Sequence, residues 1–420
     1  MASCRSCRFL VFSNGSFLFF LWILSSFVRE KGWIVFLSGL LLLASATALF
    51  LNGKKRFLFA AYLAILTPMT AGLVIEAALH VAPGLLRGQA ANWAYSAYHT
   101  HAGGIYRPDP FLGFALKENH RQWAYYNGHW WWHETNSDGY RGSAVDRADA
   151  VFLGDSMIYG HGIDNECTVP SRYAERCCLT SANLGQQGFG AVQELAVLLR
   201  HGPRLRPKTV FVCCHPNDLV DSIIWYPQSE LKSLLQSPVS CPYQPRAKAN
   251  AGGWSRMWED HFACPLRTSG LLAGLWSDLR QGRLGARWRS QQKSQEDKRF
   301  VPDPQYVASP FAPAENPDLR FQWQVHCHAL KAMQVWCREH EAKLVVFDLG
   351  YPLAFAHALE AWCQKQGIDY CPAGRRILRR VERGEELYLR NDGHWNTAGC
   401  VAVAEELARH TTPPPGESAR

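Results

Sequence analysis

At 420 residues, 47% of them hydrophobic, the chain is long enough for one large or two ordinary domains. Its formal net charge of +8 is mild for this length. The most basic run, "RLGARWRSQQKSQEDKR", is mixed in sign and reads as a solvated loop, so composition gives no sign of a nucleic-acid partner.

Three apolar stretches of spanning length come first: Phe9 to Val28, Trp33 to Leu51, and Phe57 to Leu79, the last interrupted by Pro68 and Glu76. A cleaved signal peptide accounts for one such stretch, not three in series. Arg5 and Arg8 before the first, and Lys54, Lys55 and Arg56 between the second and third, belong in the cytoplasm by the positive-inside rule. Three spans then make residues 1–82 a membrane anchor and place the rest on the periplasmic or extracellular side. Arg29 and Lys31 around Glu30 blur that bias, so a helical hairpin with one peripheral helix is the competing arrangement. Glu76 lies towards the outer end of the third stretch, where water reaches, and receives no role.

Residues 83–145 form an aromatic-rich lead-in. Its densest part, "QWAYYNGHWWWHETNSDGYRG", predicts β-rich or irregular structure with turns at Asn127-Gly128 and Asp138-Gly139. Trp130, Trp131 and Trp132 suit core packing or membrane-interface anchoring better than sugar stacking. From about residue 146 to 412 the pattern becomes strand, loop, helix. Short apolar runs predict strands at Ala150–Leu153, Ser181–Leu184, Thr209–Cys214, Leu344–Asp348 and Ile368–Cys371. Helical periods fall between them at Thr168–Cys178, Ala191–His201, Phe321–His340 and Pro352–Gln366. Strands alternating with helices, without hairpin turns, predict an α/β fold: a doubly wound parallel sheet covered on both faces, in three α/β/α layers. Residues of about 222–320 break the rhythm. They read as an insertion with one short helical pattern, near Leu271–Leu279, and the tail after 412 reads as disordered.

In an open parallel sheet, ligands bind outside the carboxyl ends of the strands. Those ends carry Gly154-Asp155-Ser156, "NLGQQGFG", "HPNDL" and, near the C-terminus, "NDGHWNTAG". A serine, a glycine-rich turn, an asparagine and an Asp/His pair are the parts of an acyl-transfer site. Ser156 is the candidate nucleophile and needs a base, His394, oriented by Asp392. The backbone N–H groups of Ser156 and Gly188 and the side-chain amide of Asn217 are the candidate oxyanion donors. Taken singly, each block has a plainer reading: Ser156 as a helix N-cap, Asn217 as a turn residue, His394 as an ordinary capping histidine. His161, after Gly160, reads as a surface loop residue. "GHGID" has no Lys-Ser/Thr after its glycines and is not a P-loop.

The blocks together resemble the SGNH, or GDSL-type, hydrolase superfamily, in which Ser, Gly, Asn and His occur in this order. "GDS" carries Ser156, "NLGQQG" Gly188, "HPND" Asn217, and "NDGHWN" Asp392 and His394. The likeness covers about residues 132–410 and includes "TNSDGYRG", which resembles a lead-in of membrane-anchored bacterial members. His215 stands where the superfamily has glycine, and Asp-x-His replaces Asp-x-x-His. The shorter spacing resembles the periplasmic branch that acetylates exopolysaccharides such as alginate. The resemblance implies a flavodoxin-like SGNH fold and a serine esterase or O-acyltransferase acting on small acyl, above all acetyl, esters of a surface or exported polysaccharide. It implies no cofactor and no metal. The expected partners are an acyl ester or saccharide substrate, the membrane and a membrane acyl-donor protein. A catalytically silent saccharide-binding or scaffolding protein of a polysaccharide export assembly is the rival; it would be marked by a lost tetrad residue, and none is lost.

Fourteen cysteines prompt a redox or metal reading, but the twelve after the apolar stretches contain no C-x-x-C pair and no zinc-site spacing. Outside the cytoplasm, disulfides are the default for exposed pairs. Cys241 with Cys264, and Cys363 with Cys371, are close enough in sequence to close small loops, though spacing does not fix connectivity. Cys213, Cys214 and Cys400 read as buried small hydrophobes.

Overall fold

The computed structural model describes residues 71–95 (apart from 73), 105–248, 267–280 and 299–411. The first two apolar stretches, most of the third, Cys264 and the tail after 411 lie outside the described residues. No helix among the described residues is long and apolar enough to cross a membrane. The chain divides into two compact units, residues 1–94 with 253–284, and residues 95–252 with 285–420.

In the first unit, Glu76 is only 1% exposed, not turned to water as its position in the sequence suggests. Its carboxylate accepts from the backbone N–H of Arg267 at 2.8 Å and meets His80 Nε2 at 2.9 Å. Arg267 begins the helix Arg267–Arg280, so the acid satisfies one of the N–H groups that a helix start leaves without partners. The Arg267 guanidinium donates to the carbonyl of Ala94 at 2.9 Å.

The second unit opens with two antiparallel hairpins, β1 (Tyr106–Asp109) with β2 (Gly113–Leu116), and β3 (Arg121–Tyr126) with β4 (His129–Glu134). Asn127 and Gly128, at φ 47° and 93°, form the two-residue connection of the second, the left-handed pair such a tight turn needs. After them come five parallel strands: β5 (Ala150–Leu153), β6 (Ser181–Asn183), β7 (Thr209–Cys214), β8 (Lys343–Asp348) and β9 (Asp369–Cys371). Their order is β6-β5-β7-β8-β9, which is the flavodoxin-like winding. The chain reverses direction across the sheet between β5 and β7, and the crevice at such a switch point is where ligands bind.

Alternation along the strands feeds two cores. Val151, Leu153, Val210, Val212 and Val346 face the helices α3 (Ala191–Leu205), α6 (Pro317–Glu339) and α7 (Leu353–Gln366); α1 (Ser156–Tyr159), α2 (Val169–Cys177), α4 (Asn217–Trp225) and α5 (Gln228–Gln236) precede α6 in the chain. Ala150, Phe152, Phe211, Val345 and Phe347 face α2, α8 (Ala373–Glu382) and α9 (Thr397–Thr411). A sheet buried on both faces reads as continuous apolar runs rather than as alternation. That is why "AVFL" and "TVFVCC" are legible as central strands.

The same alternation disposes of one suggested disulfide. Cys363 belongs to the first core and Cys371 to the second, on opposite faces of the sheet, and both are free buried thiols. All cysteines among the described residues are free. Cys213, Cys214 and Cys400 are buried, as expected.

Elements also run further than the sequence periods suggest. Helix α3 continues beyond His201 through Pro203, because Gly202 lies flush against the Trp336 indole, where a Cβ would come within 2.5 Å. Helix α6 starts at Pro317, with the Asn316 side-chain Oδ1 accepting from the N–H groups of Asp318 and Leu319. The stretch at 222–320 holds more than the single helix near Leu271–Leu279. Helix α5 lies within it, burying Leu231 and Leu234 beside Val192, Tyr226 and Val325. Two buried leucines in nine residues are too short a period to stand out in sequence.

Candidate active site

Strand β5 ends at Leu153, and the chain turns into the short helix α1 with Ser156 as its first residue. Asp155, not Ser156, is the N-cap: its Oδ1 accepts from the N–H of Met157 at 2.9 Å. The serine hydroxyl is thereby left for a different partner. Nε2 of His394 lies 2.7 Å from Ser156 Oγ, and Nδ1 of the same ring lies 2.5 Å from Asp392 Oδ1, which also accepts from the His394 backbone N–H at 2.9 Å. Burial pushes the Asp392 carboxyl up, but the hydrogen bonds and charge of His394 outweigh it and hold the group well below the usual carboxylate range. A permanently charged acceptor on Nδ1 keeps the proton there and leaves Nε2 to take one from the hydroxyl.

The lead-in hairpin completes the carboxylate's surroundings. Asn127, in the β3–β4 turn, donates from Nδ2 to Asp392 Oδ2 at 3.0 Å, and His129 Nε2 lies 2.6 Å from the carbonyl of Arg390. Its Asn-Gly signature identified a turn but not this contact, which depends on a pairing 265 residues away. Arg141 is a second unanticipated residue. Its guanidinium, 1% exposed, donates to the carbonyls of Tyr159, Gly160 and Ile163 at 3.1, 2.6 and 2.7 Å, clamping the loop after the nucleophile. It is the arginine of "TNSDGYRG", so the motif has a mechanical reason to precede the serine block.

Gly188 lies in a turn closed by the N–H of Phe189 on the carbonyl of Gln186, and its φ of 69° is one that side chains disfavour. Asn217 opens α4 at the end of β7, across the switch point from Ser156. Both hydrogens of its amide are engaged by carboxylates, Asp155 Oδ2 at 3.2 Å and Asp221 Oδ2 at 2.9 Å. Its Oδ1 faces His215 Nδ1 in close contact, so the histidine that replaces the expected glycine fixes which way the amide points. The first and third blocks are thus joined through Asp155 and Asn217.

Burial, reinforced by the charge of Asp155, raises Asp221 to about 7 despite the hydrogen bond from Asn217. The proton is then held more tightly in the folded chain than in the unfolded one, where the ordinary value is 3.8. The stability it contributes is complete below 3.8 and is lost as pH rises through about 7. Between pH 5 and pH 8, the denaturation midpoint of Asp221→Asn is therefore expected to fall less than that of the wild type. Equal falls in the urea midpoint for the two proteins between these pH values would show that Asp221 ionises normally.

His161 is not on the surface. It is 2% exposed, and its ring lies 4.5 Å from the His394 ring, between centroids, and 4.7 Å from that of Trp131. The glycines around it suggest a solvent loop, but Arg141 draws that loop inwards. Its Nδ1 is 2.6 Å from the Nε2 of Gln187, whose Oε1 meets the hydroxyl of Tyr106 in β1. Burial, then the neighbouring His394, keeps the His161 imidazole neutral. Trp131 is 1% exposed, with its indole N–H 3.2 Å from the Tyr159 hydroxyl, so the middle tryptophan of the three is core.

The candidates Ser156, His394 and Asp392 are therefore brought into one hydrogen-bonded chain, with Asn217 tied to it through Asp155 and Gly188 adjoining the residue that holds His161. No protein-family model matches the chain, and no curated protein does. Solved structures give partial likenesses. A protein described as a lipolytic member of the G-D-S-L family, from Desulfitobacterium hafniense DCB-2, is 10% identical, with a TM-score of 0.33, over 62% of this chain and 98% of that one. TesA is 12% identical at a TM-score of 0.34, over 62% and 96%. A protein described as a GDSL-like lipase, from Parabacteroides merdae ATCC 43184, is 12% identical at 0.31, over 63% and 96%.

Proposed function

We propose that this chain is a serine ester hydrolase or O-acyltransferase of the SGNH type, working through an acyl-enzyme on Ser156. The observation that carries this is the relay from Ser156 Oγ to His394 to Asp392, at 2.7 and 2.5 Å. Oγ attacks the ester carbonyl while His394 Nε2 takes its proton. The same proton then goes to the departing alcohol, leaving an ester on Ser156. Water, or a saccharide hydroxyl deprotonated by His394, attacks that ester in turn. Gly188, Asn217 and the Ser156 N–H are the groups assigned to the oxyanion, the Asn217 amide exchanging a carboxylate for the developing charge.

The Asp-x-His spacing and its likeness to exopolysaccharide acetylation support acetyl as the acyl group and a surface or exported polysaccharide as its carrier. The apolar N-terminal stretches, with their flanking charges, support an anchor that holds the catalytic unit outside the cytoplasm, where a membrane acyl-donor protein would reach it. Mass spectrometry of the full chain with p-nitrophenyl acetate, with and without an oligosaccharide acceptor, tests the reading. The expected result is a 42 Da adduct on the Ser156 peptide that decays to free acetate or to acetylated sugar. No adduct and no acetate release above the rate in buffer would refute it.

A further inference from the structure

The residue that the relay does not use is His161. Its donor nitrogen, a nitrogen of His394 and an oxygen of Asp392 all lie within 4.8 Å of one another. Two imidazoles and a carboxylate, His161 meeting the Asp392-x-His394 pair from a distant part of the chain, are a borderline-metal donor set. We propose that His161, Asp392 and His394 form a binding site for a borderline divalent cation, Zn²⁺ being the type, and that its occupancy switches the serine site off. The switch rests on the acyl-enzyme reading; the binding does not.

The geometry is close to that required. Zn–N and Zn–O bonds of about 2.0–2.2 Å in a tetrahedron put ligand atoms roughly 3.3 Å apart, so closure from 4.8 Å asks for side-chain shifts of about 1 Å. A coordinating histidine also needs its other ring nitrogen held by a hydrogen-bond partner. Gln187 is placed at Nδ1 to supply that partner once its amide turns over. As it stands, its Nε2 meets His161 Nδ1 at 2.6 Å; with the amide turned over, its Oε1 would accept from a protonated Nδ1 and its NH₂ would face Tyr106. Ring positions are set by the Trp131 contact at 4.7 Å on His161 and by the loop clamp of Arg141.

Inhibition follows whichever nitrogen of His394 the metal takes. At Nε2, the lone pair that receives the serine proton is occupied. At Nδ1, the contact with Asp392 is replaced and the ring loses the partner that sets its tautomer. Ser156 is not a ligand in either case, and magnesium, which prefers an all-oxygen octahedron, does not suit this donor set.

The test uses the full chain with accessible thiols alkylated, so that exposed cysteines such as Cys178 and Cys241 do not compete. Zn²⁺ is titrated against a chromophoric chelator, and fluorophosphonate labelling of Ser156 is timed in parallel. Micromolar Zn²⁺ is expected to bind one per chain and slow labelling at least tenfold, with recovery on adding EDTA and no effect of Mg²⁺. Ser156→Ala should retain the binding, which isolates the metal site from the acyl-enzyme reading. His161→Asn should bind at least tenfold more weakly, and its labelling, measured against its own zinc-free rate, should resist Zn²⁺. Co²⁺ in wild type and Ser156→Ala should show the visible bands of a four-coordinate nitrogen and oxygen site, a readout that does not depend on the His161 variant folding. Absence of binding below millimolar Zn²⁺, absence of those Co²⁺ bands, or Zn²⁺ inhibition undiminished in His161→Asn would overturn the proposal. One-to-one binding without slowed labelling would overturn the switch.

Discussion

Ser156→Ala is expected to abolish covalent labelling by a fluorophosphonate probe and to lower kcat for an acetyl ester by about 10⁴-fold or more, with the chain still folded. The separation of the two effects has a structural cause. The cap of helix α1 is made by Asp155, whose Oδ1 receives the Met157 N–H at 2.9 Å, so the serine hydroxyl contributes nothing to the helix start. Alanine is well accommodated in a first helical turn, and the change in unfolding free energy should stay within about 1 kcal/mol. What disappears is the atom 2.7 Å from His394 Nε2. His394→Ala should produce a loss of similar size, and the double variant should be little worse than either single one, because nucleophile and base act as a unit. Labelling that persisted at another residue in Ser156→Ala would remove the serine from its assigned place.

The sheet and the relay were legible because each depends on short-range pattern. Five short runs gave the strands within a residue or two, most clearly "AVFL" and "TVFVCC", where burial on both faces leaves the run almost wholly apolar. Ser156 was legible because it follows such a strand, and Asp392 and His394, in the segment before α9, because an Asp-x-His pair carries a chemistry that few residues supply. The supporting residues were not legible, because their partners are remote in sequence. Asn127 reads locally as a turn, which it is, and only the fold shows its amide on Asp392. His161 reads as a surface loop residue because flanking glycines ordinarily mean solvent, and nothing local marks the role of Arg141. The loop is buried instead because the guanidinium satisfies carbonyls that would otherwise face the interior unpaired. The apparent Cys363–Cys371 loop misled for the opposite reason: nearness in sequence hides a sheet standing between the two thiols.

The hairpin's contact also sharpens what Asp392 does. Its two oxygens have different tasks: Oδ1 receives both N–H groups of His394, and Oδ2 receives the Asn127 amide. Asp392→Asn is expected to leave the chain folded and to lower kcat by about 10⁴-fold. A neutral amide removes the charge that stabilises the imidazolium formed as Ser156 gives up its proton. If its NH₂ takes the Oδ1 place, it also confronts two donors and drives the His394 proton to Nε2, where no further proton can be accepted. Asn127→Ala removes a hydrogen bond only from the oxygen that does not touch His394, and its cost in kcat should be about ten- to a hundredfold at most, with the carboxylate still charged. The measurement is kcat for both variants, with urea denaturation to confirm folding. A loss in Asn127→Ala as large as that in Asp392→Asn would mean that the hairpin, not the carboxylate's charge, holds the imidazole in its working orientation.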